Sequence, residues 1–280
     1  MARHTKSQPP RRPLGSPRLW VGAATVAMCL VLAGSSSGSS DGDLRLVDNG
    51  YEGLMVVISD QISEDHCNHV LHGLQSVLRE LSSQMWSATG GRASIRQVTV
   101  ALPRVWRTDA LGCSLKNLLP ASAAPEEGHI RITTSHPVFG DRPWTQQTQG
   151  CGRQGDFIQM GGDLLRAASN DSYAHSARLL LAEWAKFRWG VFDERGHAND
   201  PLYPPTFRDP NTHQFAATSC SDGVVKGDTC DPSQPGCTFS PQPYSNNHLS
   251  SSLLSFPELP TVSFIIGLYK ESLAKSFRAG

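Results

Sequence analysis

The sequence predicts an α/β (α+β) domain that begins near residue 44, with a central sheet, flanking helices and a disulfide-tied irregular segment. Three observations predict it. Short β-branched apolar runs alternate with long stretches of helical periodicity between residues 53 and 189. From Val191 to about Ser250 the periodicity fades into Pro, Gly, Asp and Asn, and three of the chain's cysteines, Cys220, Cys230 and Cys237, fall there. The 280 residues, 39% hydrophobic and 18% charged, are enough for a packed core.

The elements follow in order. GLMVVIS, Gly53 to Ser59, is a β-branched apolar run that reads as a buried strand. Val70, Leu71, Leu74, Val77, Leu78, Leu81 and Met85 recur at helical spacing and predict an amphipathic helix over residues 65–86, started by Ser63-Glu64-Asp65. In ASIRQVTVALP, Val98, Val100 and Leu102 alternate and predict one strand. GHIRITTS and GDFIQM give two more, and YAHSARLLLAEWAKFRW predicts a second helix near 174–189 with Gly190 as its left-handed C-cap. Phe264, Ile265, Leu268 and Leu273 suggest a terminal helix, and no internal repeat is visible.

Residues 1–33 are read as a signal peptide. A basic, acid-free leader runs into sixteen apolar residues, Leu19 to Gly34, short for a membrane span of about 20, with Val31 and Ala33 placed for cleavage. An uncleaved signal anchor is the alternative, so the protein is expected to be secreted or, failing cleavage, a single-pass membrane protein. Residues 34–43 are a Ser/Gly linker. Removing the leader takes away Arg3, Lys6, Arg11, Arg12 and Arg18, leaving the remainder near minus five with no basic stripe, which argues against nucleic acid. Cys67, Cys113, Cys151, Cys220, Cys230 and Cys237 then remain, an even set that suggests three disulfides of undetermined connectivity, with buried free thiols as the alternative. Asn170-Asp171-Ser172 is a glycosylation sequon.

The chemically pointed stretch is LLAEWAKFRWGVFDE, residues 180–194. A zinc protease helix places two His at i and i+4 on one face, with a Glu at i+1 to polarise the attacking water. That frame falls on Ala182, Glu183 and Lys186, so only the glutamate is kept. Ala offers no ligand, and an ammonium has three donors and no lone pair. Taken alone, AEWAK is an ordinary helix with an i, i+3 Glu–Lys pair.

The wider stretch EWAKFRWGVFDE resembles HEWAHLRWGVFDE, the hallmark of the calcium-activated chloride channel regulator family. The resemblance continues in LRLVDNGYEGLMVVIS, VTVALPRVW, GDRPWTQQTQGCGRQGDFIQM and AATSCSDGV, and covers most of residues 44–240. It implies a zincin-like metalloprotease fold with a central mixed sheet. It also implies that Ala182 and Lys186 stand where that family has zinc-binding histidines, Glu183 at the catalytic glutamate and Asp193 at the third, acidic ligand. Ser252 to Ser255, SLLS, stands in place of a methionine turn, and no Met follows Met160. Full family members continue into a von Willebrand factor A domain, which residues 44–280 do not contain.

Rescue of a metal by other residues is poorly supported. His175 lies about 10 Å along the helix axis from Ala182. His197, four residues after Asp193, is sterically possible but makes a poor zinc site with one or two carboxylates. His66, His69 and His72 read as a surface face of the first helix. The expectation is therefore a non-catalytic, zinc-free, exported domain without cofactor. It would act on a protein partner, a chloride channel or cell-surface protein, and touch a membrane only through an uncleaved leader. A residual metal-dependent peptidase with a non-standard metal site is the alternative. Lys186 should project towards the old metal position and pair with Glu183, Asp193 or both, unless its stem carries the ammonium to solvent.

Overall fold

A computed structural model describes residues 44–106, 125–166, 170–246, 248–260, 262 and 263. The leader, the linker, Cys113 and the terminal helix expected at 264–273 lie outside the described residues. The chain opens with a hairpin, β1 (Arg45–Val47) and β2 (Gly50–Glu52). Its two-residue turn places Asp48 and Asn49 at φ 45° and 63°, the left-handed pair that a tight hairpin of this hand requires.

The chain then enters β3 (Leu54–Ile58), and a 3₁₀ turn at Glu64–His66 leads into α1 (Cys67–Ala88). Ser63 accepts a hydrogen bond from the Asp65 amide, so the SED signal acts on the 3₁₀ turn and the α-helix proper begins a few residues later. Val70, Leu74, Val77, Leu78, Leu81 and Met85 are all buried along one face of α1. Gly73 lies against the carbonyl of Leu165, where a Cβ would come within 1.8 Å of the oxygen.

The single strand expected over residues 93–103 is two strands in two sheets. β4 (Ser94–Ile95) pairs with β2, and β5 (Val98–Ala101) pairs with β3. The break comes at Arg96 and Gln97, whose amides both donate to the Tyr51 carbonyl and turn the chain from one sheet to the next. β6 (Ile130–Thr133), β7 (Trp144–Gln146) and β8 (Phe157–Gly161) complete a five-stranded sheet of order β5-β3-β6-β8-β7. It is parallel except for β7, which runs antiparallel to β8 at the edge, so the central sheet is mixed as expected. The short edge strand β7 escaped the sequence because its three residues are all half-buried and do not alternate.

α2 (Asn170–Trp189) packs across α1, its Trp184 and Phe187 fully buried. It starts a turn earlier than its apolar periodicity indicates, with the sequon residue Asn170 as its first position. Beyond Gly190 the described chain contains a 3₁₀ turn at Pro243–Asn246 and strands of only two or three residues: β9 (Thr206–Arg208), β10 (Phe215–Ala217), β11 (Gly227–Asp228), β12 (Ser240–Pro241), β13 (Ser251–Ser252) and β14 (Val262–Ser263). This region has its own small core of Ala217, Val225, Leu249, Phe256 and Leu259.

The disulfide expectation needs correction. Cys230 and Cys237 are joined across seven positions and Cys67 is also disulfide-bonded, but Cys151 and Cys220 are exposed free thiols. Cys151 sits in the turn that bonds to Gly190, and Cys220 is fixed by the Ser255 hydroxyl on its amide and by Ser252 on its carbonyl. Each backbone is thus committed to a different neighbour, and a disulfide needs Cα atoms about 5.5–6 Å apart. Among the described residues, no helix is long and apolar enough to cross a membrane.

Candidate functional site

Leu179, Ala182, Glu183 and Lys186 come from the same side of α2 and line one cleft, while Trp184 turns inward to meet Tyr51 edge-on at 5.0 Å between ring centroids. α2 ends where Gly190 adopts φ 63° and its amide bonds back to the Lys186 carbonyl. The reversal brings Asp193 back over the last turn. The segment is held from the far side by the Glu194 amide on the Leu254 carbonyl and the Ser255 hydroxyl on the Glu194 carbonyl. The SLLS stretch therefore lies under the site, with Leu253 and Leu254 buried in its floor.

The cleft encloses about 460 Å³. Its opposite wall is β7 and the loop before it, with Trp144 stacked on Phe139 at 5.2 Å and Val138 exposed beside them. The walls are joined by the Thr145 hydroxyl, which donates to the Glu183 carbonyl at 2.9 Å.

At the centre stands Lys186. Its Nζ lies 2.6 Å from Glu183 Oε1 and 3.0 Å from Asp193 Oδ1, with only 16% of the side chain exposed, so the lysine turns inward as the motif spacing suggested. Around this trio Arg195 stands 3.9 Å from both Asp193 and Glu258, and Arg142 pairs with Glu258. The three central groups do not share the pairing equally. Burial pushes the Glu183 carboxyl up more than Lys186 pulls it down, and its Oε2 has no hydrogen-bond partner among the described residues. Burial raises Asp193 too, but Lys186 and then Arg195 outweigh it and hold that carboxyl below its ordinary value. Burial alone would lower Lys186; its two carboxylates outweigh that and raise it, so the amine remains an ammonium.

Zinc does not fit this donor set. Ala182 contributes a methyl, Lys186 has no lone pair, and both carboxylates are already engaged by its N–H groups. His197 Nε2 is 3.9 Å from Asp193 Oδ2 on a side chain 54% exposed, and His175 is half-buried with its basicity lowered by burial and by Arg178. All three first-helix histidines are exposed, His69 and His72 on α1 and His66 at the end of the 3₁₀ turn that precedes it; His66 approaches Arg166 at 3.3 Å and His72 faces Tyr173. Among the described residues, no three His, Cys, Asp or Glu side chains are grouped to hold a metal ion. The motif spacing located Ala182, Glu183 and Lys186, and the family resemblance located Asp193. Both missed Arg195, Arg142, Glu258 and Thr145, and no local pattern marks them, since Arg142 and Glu258 are 116 positions apart.

Residues 44–247 match the family profile described as calcium-activated chloride channel N terminal. Human calcium-activated chloride channel regulator 2 is 29% identical over 184 residues, 65% of this chain and 18% of that protein. Human calcium-activated chloride channel regulator 1 is 27% identical over 202 residues, 70% of this chain and 21% of its own length. Mouse calcium-activated chloride channel regulator 2 is 27% identical over 233 residues, 78% of this chain and 23% of its length. The chain thus spans about a fifth of the length of these curated relatives. No solved structure matches.

Proposed function

The chain belongs to the calcium-activated chloride channel regulator family, and from that premise we propose that it is an exported, non-catalytic domain that works by binding a protein partner and so modulates chloride conductance indirectly. One observation carries the loss of catalysis: the Lys186 ammonium lies 2.6 Å and 3.0 Å from the two carboxylates that the family resemblance assigns to zinc chemistry. Peptide hydrolysis needs an activated water and stabilisation of the developing oxyanion, and a Lewis acid contributes several kcal/mol to the latter. Here Glu183 is engaged by an ammonium, and Ala182 and Lys186 offer a metal no lone pair.

The names of the relatives, channel regulators, support a role through protein interaction. The partner would be a channel or another cell-surface protein.

The retained Glu183 and Asp193 favour a second reading, a residual peptidase with a non-standard metal arrangement. Elemental analysis of the purified protein separates the two. Zinc far below one per chain is expected. About one zinc per chain, lost together with peptidase activity on chelation, would establish the second reading and sink the first. Ala182→His with Lys186→His should create zinc affinity with Asp193 as third ligand, whereas Lys186→His alone should not.

A further inference from the structure

The mismatch between the implied metal and the groups present has a geometry of its own. Asp193 has three cationic or potentially cationic groups within 4.0 Å, and they are not equivalent. Lys186 Nζ hydrogen-bonds Oδ1 at 3.0 Å, whereas Arg195 Nε and His197 Nε2 stand at 3.9 Å from Oδ2, beyond hydrogen-bond reach. Glu183 meets the same ammonium at 2.6 Å. Two carboxylates from different segments therefore converge on one point, and a nitrogen occupies it at distances suited to charge-assisted N–H···O bonds rather than to zinc–oxygen bonds of about 2.0–2.2 Å. With Arg195 behind it, Lys186 sets two positive charges against two negative ones, the charge a divalent ion would supply.

We propose that Glu183 and Asp193 form a binding site for a primary ammonium group, filled from within by Lys186, and that this tethered cation clamps residues 191–195 onto α2 in place of a metal. The proposal rests on the reading that no metal occupies the cleft, and adds a ligand class and a mechanical role. The far side of the segment is tied to Leu254 and Ser255, and among the described residues Lys186 is the hydrogen-bonded side-chain link between Asp193 and the helix. Without it two carboxylates face one another, partly buried and uncompensated at short range.

The test replaces the tether and returns the cation. Lys186→Ala should lower the Tm by roughly 10 °C, the scale for removing one partner of a buried ion pair. Added ethylammonium should restore it saturably. Sodium and tetramethylammonium, which offer no N–H, should not do so at equal ionic strength. Lys186→Met should fall similarly and stay unrestored, because its side chain fills the space. A Lys186→Ala protein as stable as wild type, equal restoration by all three cations, or restoration of Lys186→Met would overturn the proposal. Should Lys186→Ala be recovered only unfolded, refolding with and without ethylammonium decides: a raised folded yield supports the site and an unchanged yield overturns it. Zinc analysis of the wild type is a separate arm. A zinc-free wild type with an unrestored Lys186→Ala defeats the clamp alone, and a zinc-loaded wild type defeats the reading beneath it.

Discussion

From Leu44 to Gly190 the chain buries long apolar faces: Leu54, Val56, Ile130, Ile132 and Ile158 from the sheet, Leu74, Leu81 and Trp184 from the helices. From Val191 to Ser263 it buries little and relies on local devices. Asp200, Asp209 and Asp231 each accept backbone amides two residues ahead, the Cys230–Cys237 bridge closes a short loop, and a five-residue core sits beneath. The comparison teaches that one domain can be specified by two kinds of physics, area-driven burial in one region and covalent and hydrogen-bonded turns in the other. The cleft lies on the seam: α2, β7 and the loop before β7 supply one set of groups, and residues 193–195 and 253–257 supply the rest.

If the two regions differ in this way, the largest effect should come from breaking the first. Trp184→Ala empties a fully buried site against Tyr51 and Phe187 and is predicted to cost about 3–5 kcal/mol in urea unfolding. A cost below about 1 kcal/mol would contradict the packing described here. Cys237→Ser opens a loop whose cysteines are seven positions apart, for which chain entropy gives about 2.5 kcal/mol. The sharper expectation is locality: limited proteolysis should accelerate within residues 225–245, with α2 amides still protected from exchange. Uniform loss of protection would mean that the regions unfold as one.

The smallest effect predicted is the pH response of the seam. Asp193 is held below its ordinary value of 3.8, so its contribution is present above that pH and is lost as pH falls through the depressed value. Lys186 is held above 10.5, so its contribution is present below that pH and is lost as pH rises through the raised value. Glu183, raised above 4.5, acts the opposite way to Asp193 and flattens the acid limb. Urea midpoints measured from pH 3 to 11 should fall at the alkaline end in wild type and less so in Lys186→Met. Identical alkaline limbs would remove Lys186 from the account.

Legibility in the sequence follows the same division. β3, β5, β6, β8 and both helices were readable because buried faces impose periodicity, as Val70 to Met85 illustrate. The β1–β2 hairpin carries an Asp48-Asn49-Gly50 signal that turn chemistry alone could have revealed. β9 to β14 are too short for any period to register. At the site, the motif frame and the family resemblance placed Lys186 among its carboxylates because all three lie within eleven residues around one helix end. Arg195, Arg142 and Glu258 meet there through tertiary folding, which no local pattern encodes.

Gly190 sets a boundary on how far this chain can drift. Its left-handed φ could be met by Asn, the usual substitute, but any Cβ there would also lie 2.2 Å from the Arg153 carbonyl oxygen. Relieving one constraint leaves the other in force, so no single replacement is neutral. Side chains that face the cleft can change chemistry without moving the backbone, whereas a change at the hinge that aims Asp193 cannot. A position with no side chain and no part in the chemistry thus admits no free substitution, because the aim of Asp193 depends on it.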